Sequence, residues 1–127
     1  MKMKKIIGRF AFLLLPFLLI GCTLFDNFGY PSKMSFGRDG GTKICTGDES
    51  FYNLTISDND GNEYNTPVEG EDDTIIITKD WLTLKYKWGE CQFKVIAEPN
   101  TTGKKRSYNV FAMVDNQFAS IKITQER

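Results

Sequence analysis

Few side chains in this chain carry obvious chemistry. Tyr86 and Trp88 stand two residues apart, the spacing that puts two rings on one face of a strand. Two neighbouring rings of that kind form a stacking platform for sugar. The same face carries Leu82 and Leu84, so two readings stand side by side: a ligand platform at Tyr86 and Trp88, or the inward face of a core strand. Trp81 falls on the opposite face. Asp58-Asn59-Asp60-Gly61 and the acidic run Glu69, Glu71, Asp72, Asp73 offer oxygens to calcium. The first falls short of the full EF-hand spacing and reads better as a hairpin turn. The second reads as a solvated loop, so no metal site is expected. Carboxylates for glycoside hydrolysis are plentiful, yet no spacing selects a pair. There is no histidine, which removes the commonest general base and the commonest zinc ligand. With no nucleophile motif and no phosphate-cradling loop, neither catalysis nor a cofactor is expected.

The amino terminus supplies a different chemistry. Lys2, Lys4, Lys5 and Arg9 precede an apolar run from Phe10 to Ile20, interrupted by Pro16 and closed by Gly21-Cys22. Positive, apolar and small-residue regions in that order make a signal peptide over residues 1–21. The run is about half the ~20 residues a membrane-crossing helix needs. Leu19-Ile20-Gly21-Cys22 resembles the lipobox of bacterial lipoproteins, which implies an acylated thiol at Cys22 and cleavage before it. Thr23 follows, where some bacteria place an aspartate to retain lipoproteins in the inner membrane. The expected location is therefore the cell envelope, lipid-anchored, at the outer membrane rather than the inner. The whole chain has 16 basic and 16 acidic residues; losing four basic residues with the signal leaves a net charge of about −4. That balance does not suit nucleic acid.

Two further cysteines, Cys45 and Cys91, remain. In an exported protein an even pair invites a disulfide, worth on the order of 4 kcal/mol of unfolded-chain entropy across so long a loop. The other reading is two thiols that never meet. Asp73-Thr74-Ile75 resembles a short bacterial O-glycosylation motif, with Thr74 as acceptor. Asn53-Leu54-Thr55 and Asn100-Thr101-Thr102 match the eukaryotic N-glycan sequon, which means little in a bacterial lipoprotein.

These residues must be positioned by strands. Residues 22–32 read as a tether and residues 33–127 as one domain. Short strands are expected at Lys33–Gly37, Thr42–Thr46 and Phe51–Ser57, with a turn at Asp58–Asn62 and a polar loop over Glu63–Asp73 holding at most an edge strand near Tyr64. Ile75–Ile77 opens a denser region. Leu82, Leu84, Tyr86 and Trp88 alternate with Thr83, Lys85 and Lys87. Cys91, Phe93, Val95 and Ala97 repeat the period, as do Tyr108, Val110, Ala112 and Val114, then Ala119, Ile121 and Ile123. No segment holds helical spacing over three turns. Seven or eight short antiparallel strands separated by turns predict an all-β sandwich or barrel. Phe111 and Met113 lie opposite the alternating set of their strand, either as an exposed apolar patch or covered on both sides.

Asp80-Trp81-Leu82-Thr83, Val95 through Gly103 with Pro99-Asn100-Thr101-Thr102, Arg106, and Ala119 through Gln125 together resemble the BACON family. Phe36 and Gly40-Gly41-Thr42 fall where that family has a Gly-Gly turn between its first strands. The name stands for Bacteroidetes-associated carbohydrate-binding, often N-terminal. The resemblance spans Phe36 to Gln125 and implies an immunoglobulin-like sandwich in an envelope protein that binds carbohydrate. The acidic loop from Glu69 to Asp73 departs from the pattern. No enzyme domain accompanies the module in this sequence. The resulting expectation is a non-catalytic, lipid-anchored binding module for glycan or glycoprotein, or else a structural subunit docking on another envelope protein.

Overall fold

The computed structural model describes residues 27–127. The segment 1–21, the lipidation candidate Cys22 and residues 23–26 lie outside it. Ten strands follow in order: β1 (Lys33–Phe36), β2 (Gly41–Thr46), β3 (Asn53–Ser57), β4 (Glu63–Tyr64), β5 (Val68–Glu69), β6 (Ile75–Lys79), β7 (Leu82–Tyr86), β8 (Gln92–Ala97), β9 (Arg106–Val114) and β10 (Gln117–Gln125). They form two five-stranded sheets, ordered β1-β10-β9-β3-β4 and β2-β8-β7-β6-β5. The chain crosses between sheets after β1, β2, β4 and β8, giving an all-β sandwich, one of the two architectures that the alternation allows.

The period-two pattern is what places the core. Leu82, Leu84 and Tyr86 of β7, Phe93, Val95 and Ala97 of β8, Val110, Ala112 and Val114 of β9, and Ala119, Ile121 and Ile123 of β10 are all buried. Their neighbours along each strand face outward. Two hairpins turn on aspartates that tolerate left-handed backbone, Asp80 (φ 53°) before β7 and Asp115 (φ 56°) before β10. At Gly40 (φ 77°) a Cβ would strike the carbonyl oxygen of Ala97, so only glycine passes there.

The polar segment Glu63–Asp73 supplies two short edge strands, β4 and β5, one to each sheet, where the sequence reading allows at most one, so the strands number ten rather than seven or eight. Two further details differ from the sequence reading. First, β1 runs parallel to β10, with Lys33 beside Lys122 and Ser35 beside Thr124. No hairpin joins these strands, so no turn imposes antiparallel pairing on them. Second, the tether expected through Ser32 ends sooner, because residues from Asn27 onward pack on the sandwich. Asn27 mimics a strand partner: its Oδ1 accepts the Ser120 N–H at 2.9 Å and its Nδ2 donates to the Ser120 carbonyl at 2.7 Å. Tyr30 is 4% exposed and joins an aromatic cluster with Phe51, Phe93 and Tyr86. Its hydroxyl donates to the Glu49 carbonyl at 2.6 Å.

Candidate functional site

The register of the second sheet lays one row of outward side chains across four strands. Ile44 of β2 faces Lys94 of β8, Lys94 faces Lys85 of β7, and Lys85 faces Ile76 of β6. Lys85 and Lys94 are thus like charges in direct cross-strand opposition, an arrangement that costs rather than adds stability. Over this row lies a groove of about 570 Å³. The segment Gly70-Glu71-Asp72 and Thr74 also line it, as do Lys87, Glu90 and Gln92. Glu71–Asp73 forms one 3₁₀ turn with Asp72 and Asp73 in left-handed backbone, at φ 55° and 62°. The groove therefore offers ammonium and amide donors, carboxylate acceptors and two aliphatic side chains.

The two rings expected as a platform part company here. Tyr86 is 5% exposed and packs against Phe51 at 5.1 Å between ring centroids. It is a core residue, so the platform of two rings does not form. Trp88 is 72% exposed. Strand β7 ends at Tyr86, and the turn that follows lifts Trp88 out of the face it would otherwise share. Lys87 and Glu90, on either side of Trp88 in that turn, both line the groove. Trp81 is buried too, although alternation assigned it to the face opposite Tyr86, because it sits in the turn before β7, where strand parity does not hold.

Cys45 and Cys91 are both free thiols, so the expected bridge is not made. Cys45 faces Phe93 across the β2–β8 ladder. The Cys91 carbonyl accepts the Gly47 N–H at 2.9 Å, which makes the two cysteines diagonal neighbours. Such positions are roughly 7–8 Å apart, beyond ordinary disulfide reach. Burial pushes the Cys45 thiol up to about 12, whereas Cys91 is exposed.

Thr74 lies in the turn before β6, half-buried, with its N–H donating to Glu71 and its carbonyl accepting from Gly70. The Asp58–Asn62 segment is the turn that its sequence indicates. The Asp58 carboxylate accepts the N–H groups of Asp60 and Asn62, both at 2.9 Å, and the Asn62 side chain at 3.0 Å. These bonds, led by the Asn62 side chain, hold its carboxyl below the usual range. Among the described residues no cluster of three candidate metal ligands exists.

Two residues of the family-like segments, Asn100 and Gln125, are structural in this chain. Asn100, 3% exposed, donates to the Lys104 and Glu126 carbonyls and accepts from the Thr102 N–H and hydroxyl. Gln125 is fully buried, accepts from Arg106 Nε at 2.8 Å and donates to the Glu98 carbonyl at 2.7 Å. On the outer face of the first sheet, Phe111 meets Phe118 edge-to-face at 5.0 Å, and Met113 is the register partner of Phe118.

No protein-family model matches the chain, and no curated protein does. Among solved structures, a protein from Bacteroides thetaiotaomicron determined by NMR matches with a TM-score of 0.54 and 19% identity. The match covers 77% of this chain and 82% of that one. At that identity the likeness shows the fold alone.

Proposed function

We propose that this chain is a non-catalytic lipoprotein of the cell envelope that binds glycan in the groove of the second sheet, with Trp88 as the stacking ring. One observation carries the reading: a 72% exposed indole stands in a turn whose flanking residues line a groove offering both donors and acceptors. A neutral sugar presents the complementary pattern, apolar C–H faces and hydroxyls that both give and accept hydrogen bonds. The BACON-like segments support the same reading. An anchor at Cys22 rests on Leu19-Ile20-Gly21-Cys22. Residues 23–26 alone separate Cys22 from the packed Asn27. Five residue steps reach at most ~17 Å, so the domain rides close to its membrane. A glycan array on the detergent-solubilised lipoprotein tests the proposal. Specific binding that Trp88→Ala removes supports it; a blank array from folded protein contradicts it. An O-glycan on Thr74 would fill the same groove, and the intact mass of the mature protein distinguishes that case.

A second reading has its own observation. The Phe111, Met113 and Phe118 patch, with Phe118 54% exposed, suits docking on another envelope protein. Cross-linking in membranes through Phe118 replaced by a photoreactive residue tests it, an adduct with one defined protein being the supporting result.

A further inference from the structure

The first sheet carries a second arrangement, which does not rest on the groove beside Trp88. Parallel pairing of β1 with β10 sets Lys33 beside Lys122, and antiparallel pairing sets Lys122 beside Asn109 of β9. The next outward row is Ser35, Thr124 and Ser107, three hydroxyls abreast. The inward partners on these strands, Phe36, Ile121 and Ile123 among them, are buried, so both rows face solvent. All of their residues but Asn109 line a concavity of about 530 Å³, together with Asn59, Lys105, Arg106 and Glu126.

Positive charge predominates there, with Lys33, Lys105, Arg106 and Lys122 against one carboxylate, Glu126. Lys105 pairs with Glu126 at 3.8 Å. Lys33 and Lys122 have no carboxylate within ion-pair distance among the described residues, although the domain as a whole is acidic. Two adjacent unneutralised ammonium groups repel each other, and the fold gains nothing from them. An oxyanion between them turns that repulsion into two charge-assisted hydrogen bonds. The hydroxyl row one step along the strands then meets the polyol to which the oxyanion is attached.

We propose that this face is a binding site for an acidic saccharide, its sulfate or carboxylate group held between Lys33 and Lys122 and its ring hydroxyls on the row of Ser35, Thr124 and Ser107. A concave, hydroxyl-lined surface suits a discrete ligand better than a flat membrane.

The test is titration of the full lipoprotein in neutral detergent with dextran sulfate, using unsulfated dextran and inorganic sulfate at equal ionic strength as comparisons. Dextran sulfate is expected to bind, weakening with added salt, and dextran is not. The double variant Lys33→Gln/Lys122→Gln should lose about tenfold or more in affinity. Lys33→Arg/Lys122→Arg should keep it, and Trp88→Ala should leave it unchanged, which separates this site from the groove of the other sheet. The proposal is overturned if the Gln double variant binds as the parent does or if dextran binds equally. It is also overturned if inorganic sulfate competes as well as the sulfated sugar, or if anionic vesicles bind where dextran sulfate does not.

Discussion

Tyr108 lies flat on Trp81, the ring centroids 5.5 Å apart and the planes 8° from parallel. The Arg106 guanidinium stands 4.8 Å from the same indole, and the Tyr108 hydroxyl donates to Asp80. Lys79 in turn pairs with Asp80 and lies over the Tyr64 ring. Residues spread from Tyr64 to Tyr108 thus meet where β6 turns into β7, at the opposite end of the core from Tyr30. The tryptophan and arginine of the family-like segments close the sandwich here, and Arg106 also borders the concavity of the first sheet.

Trp81→Ala should therefore lower stability by about 3–5 kcal/mol, the usual range for removing a buried aromatic. Tyr108→Phe, which removes only the hydrogen bond to Asp80, should cost about 0.5–1.5 kcal/mol. Urea denaturation measures both. Trp88→Ala belongs to the opposite class: its side chain is exposed, and its stability change should stay within about 0.5 kcal/mol.

Tyr30 gives a sharper test of where the domain begins. If it belonged to a loose tether, Tyr30→Ala would be neutral. Buried in the cluster with Phe51 and Phe93, it should instead cost about 3–5 kcal/mol. Removing residues 27–32 should be worse still, since it also strips the Asn27 contacts from Ser120.

Alkaline pH should destabilise the fold. Burial, reinforced by Cys91, Cys45, Asp48 and Glu49, pushes the Tyr30 phenol up to about 12 from 10.0, and burial raises the Cys45 thiol from 9.0 to about 12. Burial and then the bond to Asp80 raise Tyr108 as well. Each group holds its proton more tightly when folded. Their stabilisation is complete below the unfolded values and is lost as pH rises through about 9 to 12. Denaturation midpoints should fall steadily across that window, and Cys45→Ala should delay the onset. A midpoint that rises there would contradict these assignments.

The cysteines should react unequally. Native protein treated with iodoacetamide should label Cys91 within minutes and Cys45 only after unfolding, since reaction needs an accessible thiolate. Mass spectrometry of peptides from unreduced protein should show no Cys45–Cys91 link.

How much of this was legible in the residues follows from locality. Leu82, Leu84, Tyr86 and the three later alternating sets announce their strands because each pattern is complete within one segment. Trp88 continues that arithmetic, yet the turn after Tyr86 breaks it, and only the position of the turn decides between core and surface. Trp81 fails for the same reason at the preceding turn. Tyr30 looks like tether because its partners, Phe51 and Phe93, lie far along the chain. The rows Ile44-Lys94-Lys85-Ile76 and Lys33-Lys122-Asn109 are invisible to any local pattern. Each requires the register of three or four strands, and the second requires a parallel pairing that no hairpin signals. For the cysteines, compartment and parity speak for a bridge, while the register sets the two diagonally.

The most direct test of glycan binding uses the chain's two tryptophans as reporters. Trp81 is buried and Trp88 is exposed, so ligand stacking on Trp88 should shift tryptophan emission to the blue, saturably, with a glycan selected on the array. Trp88→Ala should abolish both the shift and the binding while Trp81 emission stays as in the folded parent. Unchanged emission in the parent at saturating glycan, or a Trp88→Ala variant that still binds with the parent's affinity, would remove the groove and its indole from the account.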